Sequence, residues 1–245
     1  MKILKSLVFA ASTIAALSAN AAVITLPNSD FESGLSSWST IGSVIATPST
    51  TVTTYNNIVW TISAAGTNMA QLRSTGDSIS TIESTLGLTP GTLNALNTNP
   101  SDGDLTNGSA LYQSFTANSG DTISFAWNYV ATDYIPYNDP AFAILIGPGG
   151  TVDVLASIHG LGTPVGTAGN SGWKSFDATL SGGAYTLAFV TTNDKDTVLD
   201  SYLHIDATAG TCDPNCPAIS VPEPATLALM GLGLAGMGFR RKVAA

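Results

Sequence analysis

Charged residues are scarce in this chain, and basic residues are almost missing from its middle. Only 10% of the 245 residues are Asp, Glu, Lys or Arg. Between Ala22 and Val221, three basic residues (Arg73, Lys174 and Lys195) face 16 acidic ones, a formal charge of −13. Such a surface repels phosphate backbones, which argues against a nucleic-acid partner, and can attract divalent cations. Abundant Gly, Ser, Thr, Ala and Asn favour short strands and turns over helices laced with ion pairs.

Cysteine and histidine are also rare, which argues against several kinds of active site. Cys212 and Cys216 lack the Cys-x-x-Cys spacing of redox enzymes and have no further soft ligands nearby for zinc. In an oxidising compartment they favour a small local disulfide, with idle thiols as the alternative. With only His159 and His204, and no Gly-x-Ser-x-Gly segment, Ser-His-Asp catalysis is not expected. We therefore expect a non-enzymatic protein.

The two ends of the chain predict export and membrane attachment. Residues 1–21 have a basic start, a short apolar stretch and the small-residue end Ala19-Asn20-Ala21, a pattern typical of a signal peptide that signal peptidase removes. Residues 225–239 are uncharged and predict a transmembrane helix of about 22 Å, short of a ~30 Å hydrocarbon core. The flanking residues and local bilayer thinning could make up the difference. The basic residues 240–242 place that end in the cytoplasm and the preceding domain outside.

Residues 221–245 also carry a resemblance. Val221, Pro222, Glu223 and Pro224, then the apolar helix, then Arg240, Arg241 and Lys242, resemble the PEP-CTERM sorting signal of Gram-negative bacteria. The resemblance implies a protein that is exported, held in the inner membrane by this tail and processed by the membrane enzyme exosortase. It implies a final place at the cell surface or in the extracellular matrix, and nothing about the activity of the domain upstream.

Residues 22–207 predict an all-β ectodomain, followed by a linker at 208–220. Alternating apolar and polar residues, as in 122–129 and 185–189, indicate antiparallel strands with one buried face. Other strands are predicted near 23–26, 36–47, 51–62, 110–117, 141–147, 151–158, 173–180 and 199–205. Many short strands with turns between them predict an antiparallel β-sandwich, a jelly roll. One short helix is predicted from Ile79, Ile82 and Leu86, capped by Asp77 or Ser78 and ended by Gly87, and we expect it to close one end of the sandwich.

Two further resemblances concern calcium. The segment 28–32, followed by Gly34 and Trp38, resembles the opening strand of carbohydrate-binding jelly rolls. There, an early acidic residue and one on the last strand often hold a structural calcium ion, which here implies Asp30 or Glu32 with Asp206. Segments 134–142 and 196–201 resemble anchor-associated bacterial surface modules in their Asn-Asp and Asp-Ser pairs, although Pro140 replaces a bulky apolar residue. Because this acidic domain has few basic partners, we predict a calcium ion held by oxygen ligands. The main candidate ligands are Asp133, Asn138, Asp139 and Asp200.

Aromatic residues are the candidates for binding sugar. Trp38, Trp60, Tyr134 and Tyr137 have polar neighbours, and each could equally belong to the core or the rim. The sequence favours a surface or matrix protein that contributes to adhesion or to an exopolysaccharide biofilm. A carbohydrate-binding module with a defined sugar is the alternative, and a hydrolase with two facing carboxylates is a third. Exposed coplanar aromatic rings would favour the carbohydrate-binding module.

Overall fold

The structure, a computed structural model, describes residues 21–97 and 103–213. Residues 1–20 of the predicted signal peptide and the whole predicted sorting segment, 221–245, lie outside the described residues. Within the described part of the chain, no helix is long and apolar enough to cross a membrane.

The described residues form an all-β fold with a single short α-helix, α1 (Ile79–Leu86), and a 3₁₀ turn at Asn94–Leu96. The strands are β1 (Val23–Ile24), β2 (Ser39–Ile41), β3 (Ser43–Thr47), β4 (Ser49–Thr53), β5 (Val59–Ser63), β6 (Met69–Arg73), β7 (Asp77–Ser78), β8 (Leu105–Val130), β9 (Ala141–Ile146), β10 (Val152–Ser157), β11 (Thr163–Pro164), β12 (Asn170–Asp194), β13 (Tyr202–Asp206) and β14 (Thr211–Asp213).

Two long strands organise the fold. β8 and β12 pair antiparallel over nearly their whole length and lie at the centre of the order β11-β10-β9-β12-β8-β13-β6-β3. They bend near Gly120 and Gly182, whose positive φ values of 92° and 86° suit glycine. The bend brings the two halves of the sheet face to face, so that Phe125 and Phe189 meet edge to face at 5.5 Å. The predicted β-sandwich is therefore confirmed, and its jelly-roll connection stays a prediction.

Helix α1 forms where its local signals predicted it. The Ser78 side chain accepts a hydrogen bond from the Thr81 N–H at 3.2 Å, and Gly87 ends the helix in the left-handed conformation. Its apolar side packs against alternate residues of β8, β9 and β12, such as Ala110 and Val190, which point away from the sandwich interior. The helix thus covers an outer face of the sheet. Our expectation that it closes one end of the sandwich is wrong.

The outer face of the other half is covered by a small sheet in the order β14-β5-β4. Val52 and Ile62 of this sheet pack on Met69, Val130 and Trp173. The single strand predicted over 51–62 is wrong, because this segment is the β4–β5 hairpin with its turn at 54–58. β14 lies within the predicted linker and pairs with β5.

Candidate functional site

Three tyrosines, two exposed and one half-buried, cluster at one end of the sandwich. Tyr134 and Tyr137 come from the loop 131–140 between β8 and β9, and Tyr55 comes from the tip of the β4–β5 hairpin. The ring centroids of Tyr55 and Tyr134 are 4.7 Å apart, and those of Tyr134 and Tyr137 are 5.4 Å apart. We call these three residues the tyrosine patch. Tyr55 is 44% exposed and Tyr134 38%, beside Ile135 at 56%.

The hairpin tip is tied to the loop by the backbone. The Thr54 N–H donates to the Ile58 carbonyl at 2.9 Å, and the Ile58 N–H donates to Thr54 Oγ1 at 3.1 Å, which closes the turn. The Tyr55 N–H then donates to the Thr132 carbonyl at 3.1 Å. The two segments of the tyrosine patch therefore keep a fixed spacing, although 79 residues separate Tyr55 from Tyr134.

A buried polar network anchors the far end of the loop. Asp194 is fully buried, and its two carboxylate oxygens accept hydrogen bonds from the Asn138 N–H, the Gly103 N–H and the Asn97 side-chain amide, at 2.9 to 3.1 Å. The Asp194 N–H in turn donates to Asp139 Oδ1 at 2.9 Å. These bonds hold the loop against the end of β12, so the tyrosine patch rests on a rigid base.

Charged groups flank the tyrosine patch. The Lys195 ammonium lies 5.8 Å from the Tyr137 ring centroid and donates to the Pro136 carbonyl at 2.9 Å. Behind the rings, burial raises the pKa of the Asp133 carboxyl to about 6, although its Oδ1 accepts a hydrogen bond from the Tyr134 N–H at 2.7 Å. The patch thus combines apolar ring faces with an adjacent cation, while the Asp133 carboxyl is buried behind them.

The rings of the tyrosine patch are not coplanar. The interplanar angle is 49° between Tyr55 and Tyr134, and 82° between Tyr134 and Tyr137. The three rings therefore form no single flat platform, and a ligand can stack on only one of these faces at a time.

The structure separates the four aromatic residues predicted for ligand binding. Tyr134 and Tyr137 lie in the tyrosine patch. Trp60 is half-buried and donates its Nε1–H to the Ala168 carbonyl at 3.0 Å, beside the loop. Trp38 is only 8% exposed and packs between Phe31 and Phe125, so its prediction as a ligand residue is corrected: it belongs to the core.

Sequence reasoning missed Tyr55 and Asp194. Asn56 and Asn57 follow Tyr55, and Asn57 has a φ of 63°, a conformation that asparagine tolerates in turns. This Asn-Asn pair was the available signal for a turn that would expose Tyr55. No local signal marks Asp194, because its partners come from three distant segments.

Three of the predicted calcium ligands enter the buried network, but their oxygens already have partners. Asp139 Oδ1 accepts from the Asp194 N–H and Oδ2 from the Ser201 hydroxyl, both at 2.9 Å. Asp200 pairs with the Arg73 guanidinium at 2.5 Å and accepts from the Asn193 amide at 3.1 Å. Burial raises the pKa of Asp139 well above its usual range. Asn138 Oδ1 likewise accepts the His159 N–H at 2.9 Å, while Asp133 Oδ1 accepts the Tyr134 N–H. That these four residues hold a calcium ion stays a prediction.

The alternative set meets at the turn 64–68. Glu32 Oε1 accepts from the Thr67 and Asn68 N–H groups at 2.6 and 3.2 Å, and Asp206 Oδ2 accepts from the Ala65 N–H at 3.0 Å. Asp30 Oδ1 accepts the Glu32 N–H at 3.4 Å. Across the described residues, no group of three or more His, Cys, Asp or Glu could hold a metal ion. The calcium ion therefore stays a prediction, as does the disulfide, because Cys216 lies outside the described residues.

Two shallow depressions lie elsewhere on the sheet. One, of about 340 Å³, is lined by β1, β8 and β12 around Asp177. The other, of about 620 Å³, lies over Phe115 and Tyr185, whose rings stack at 5.6 Å. Neither contains a residue that the sequence predicted for a site, so the tyrosine patch is the better candidate.

Comparison with solved structures finds carbohydrate-binding modules. TmCBM61, solved in complex with β-1,4-galactotriose, is 13% identical with a TM-score of 0.36, over 78% of this chain and 97% of that chain. A structure from work on promiscuous carbohydrate-binding modules of the β-sandwich superfamily is 11% identical with a TM-score of 0.35, over 74% and 60% of the two chains. A family 16 carbohydrate-binding module is 11% identical with a TM-score of 0.30, over 77% and 98%. Likeness this distant carries no argument about the ligand.

The tail gives the firmer identification. No curated protein matches the chain in sequence. The seven predicted sorting residues (Val221, Pro222, Glu223, Pro224, Arg240, Arg241 and Lys242) fall within a match, over residues 220–242, to the family model described as the PEP-CTERM protein-sorting motif. The chain therefore carries a PEP-CTERM sorting motif, and this motif implies an exported protein.

Proposed function

We propose that this chain is a non-enzymatic surface or extracellular-matrix protein whose ectodomain binds polysaccharide through the tyrosine patch. The observation that carries the proposal is a cluster of two exposed tyrosines and a half-buried third, two of them on a loop that a buried hydrogen-bond network holds in place. Aromatic side chains normally bury most of their area, so a rigid, exposed cluster beside charged groups favours a ligand surface. Such binding would link the protein to adhesion or to an exopolysaccharide biofilm.

The angles between the rings favour general binding along a polysaccharide over a module that encloses one defined sugar. A bent set of rings offers several separate contacts, each with one face of a flexible chain, and the tyrosine patch is open to solvent. The defined-sugar module remains the second candidate, because the Lys195 ammonium beside the Tyr137 ring could select among hydroxyl arrangements.

A glycan array with the purified protein tests this proposal. Tyr134→Ala should weaken binding at least about tenfold, equal to about 1.4 kcal/mol, because it removes the central ring of the patch. Tyr134→Phe keeps the ring face and should retain most of the affinity if stacking dominates. Val23→Ala, at an exposed apolar position on distant β1, is the matched control. No glycan bound by the wild type, or equal binding by Tyr134→Ala, would refute the tyrosine patch as a polysaccharide site.

We further propose the route by which the protein reaches the surface. Signal peptidase removes residues 1–21, the helix 225–239 holds the chain in the inner membrane, and exosortase then processes it near Pro222, Glu223 and Pro224. We expect mass spectrometry of the surface form to find an N-terminus near Ala22 and a C-terminus well before Ala245. Glu223→Ala should slow the second cleavage. An exported form that still ends at Ala245 would contradict processing and leave the polysaccharide proposal untouched.

A further inference from the structure

One long segment of the chain carries no charge at all. Residues 33–72 contain no Asp, Glu, Lys, Arg or His over 40 consecutive positions. This segment holds β2 to β5 and most of β6, yet it belongs to a region with a formal charge of −13. Copies of such an acidic domain repel one another over most of their surface, and this segment is where two copies can approach with the least repulsion.

The uncharged segment supplies an edge to each sheet. Within the described residues, β3 pairs only with β6 at the edge of the large sheet, and β4 pairs only with β5 at the edge of the small sheet. The other side of β5 is taken by β14 from the C-terminal part of the chain. β4 is therefore the side on which the small sheet can accept another strand.

Hydrogen bonds fix which groups of β4 face outward. The Ala64 N–H donates to the Pro48 carbonyl and the Thr54 N–H donates to the Ile58 carbonyl, both at 2.9 Å, so the backbone groups of these even-numbered residues face β5. Because backbone groups alternate along a strand, those of Thr51 and Thr53 face away from β5. Both residues are exposed.

β4 lacks the devices that normally protect a sheet edge. Natural edge strands carry charged side chains, often Lys, or bulges that prevent pairing with another chain. The β4 sequence Ser-Thr-Thr-Val-Thr has no charge and is rich in residues that favour strands. Pro48 lies just before β4, outside the stretch that contains Thr51 and Thr53. The partner of this edge is therefore an extended backbone that brings no negative charge.

We propose that β4 pairs antiparallel with β4 of a second copy of this chain, which continues the small sheet across a twofold axis. A second copy supplies an uncharged strand of matching length, and a twofold contact lets each β4 bond to its counterpart. The pairing joins two three-stranded sheets through Thr51 and Thr53. Such a dimer would present two tyrosine patches to one polysaccharide.

Sedimentation velocity of the full chain, purified in detergent, tests the pairing across a concentration series. Thr51→Pro removes an outward N–H without removing a bond to β5, and Thr51→Lys places two ammonium groups near each other across the twofold axis. We expect the wild type to dimerise and both variants to raise the dissociation constant at least about tenfold. Thr51→Ala, which keeps the N–H, and Val198→Lys, which makes the same charge change on an exposed loop, should stay within about twofold of the wild type.

Two results would overturn the proposal. One is a wild type that stays monomeric over the whole series. The other is dimerisation of Thr51→Lys and Thr51→Pro with the same dissociation constant as the wild type. That result would assign the contact to another surface, such as the C-terminal tail. Circular dichroism checks that each variant is folded, and Thr51→Lys decides the outcome if Thr51→Pro does not fold.

Discussion

Two buried polar regions of this molecule differ in how well their hydrogen bonds are satisfied. The first is the loop network under the tyrosine patch, built around Asp139, Asp194 and Asp200. The second, which we call the polar row, crosses the outer face of the sheet beneath the small sheet. It runs through Gln71 on β6, His204 on β13 and Asn128 on β8, which are cross-strand neighbours, and ends near Asn170.

The carboxylates of the loop network have hydrogen-bond partners, whereas several buried side-chain atoms of the polar row have none. Asp194 alone accepts three hydrogen bonds. In the polar row, Gln71 Oε1 and Asn128 Oδ1 are buried without a hydrogen-bond partner among the described residues, and neither ring nitrogen of His204 reaches good hydrogen-bond geometry, although the Asn128 backbone is close enough to act on its pKa. Its bonds lie at the Asn170 end, where Asn170 Oδ1 accepts from the Asn128 amide at 3.0 Å and from the Gly172 N–H at 2.7 Å. Unpaired buried polar groups oppose folding, while paired ones fix a unique geometry.

The difference indicates which part of the fold is rigid and which part opens first. The loop network positions a candidate binding surface, and its satisfied bonds suit that role. The polar row destabilises the contact between the large sheet and the small sheet that covers it. We therefore infer that β14 and the adjoining strand β5 exchange their amide hydrogens sooner than the loop 131–140, whereas the hairpin tip at Tyr55 stays tied to that loop.

The largest expected effect comes from breaking the loop network at its centre. Asp194→Ala leaves the Asn138 N–H, the Gly103 N–H and the Asn97 amide without their acceptor. We expect the free energy of unfolding to fall by about 3 to 5 kcal/mol, since each orphaned buried donor costs about 1 to 3 kcal/mol and relaxation recovers part of it. Urea denaturation of the wild type and the variant measures this loss.

Asp177→Ala is the matched control for that comparison. Asp177 is exposed on β12, the same strand, and its loss should change stability by less than about 0.5 kcal/mol. If Asp194→Ala proved as mild as Asp177→Ala, the loop network would not be what holds the tyrosine patch, and the contrast between the two regions would fail.

Much of the fold could be predicted because its signals are local. Ser78 and Gly87 cap α1 within the helix's own sequence, and the alternation over 122–129 needs only neighbouring residues. The face that each element covers depends on distant contacts, so the position of α1 was wrong. The strand predicted over 51–62 was wrong because the alternation on both sides of Tyr55 continues in phase across the turn.

The candidate site was predicted only in part, because some of its signals are local and others depend on distant contacts. Tyr134 and Tyr137 lie in a segment rich in Pro, Asn and Asp, which predicts an exposed loop. Trp38 lies close to exposed residues in sequence, but the packing of Phe31 and Phe125 around it depends on the closed sandwich. The polar row could not be predicted, since it exists only through the register of three strands.

A smaller effect is expected from the polar row, and it depends on pH. Burial lowers the pKa of His204 to about 4, from 6.5 for a free side chain. Its neutral form is therefore favoured in the folded state, so its contribution to stability is complete above pH 6.5 and is lost as pH falls through 4. The shift corresponds to a loss on the order of 3 kcal/mol across that window.

His204→Leu isolates this effect, because leucine fills a similar volume and does not titrate. At pH 7 we expect the variant to be as stable as the wild type or slightly more stable, since it removes two buried nitrogens without partners. As pH falls from 6.5 to 4, the wild type should lose on the order of 3 kcal/mol relative to the variant. Burial raises the pKa of Asp133 to about 6 and also raises that of Asp206, and these shifts change stability with pH in the opposite direction. Both proteins share these groups, so they cancel in the comparison.

His204→Gln, polar but not titratable, should follow the pH dependence of His204→Leu while being less stable at pH 7. Parallel stability curves for the wild type and His204→Leu from pH 7 to pH 4 would show that His204 finds a partner or water in solution, and that the polar row is as well satisfied as the loop network.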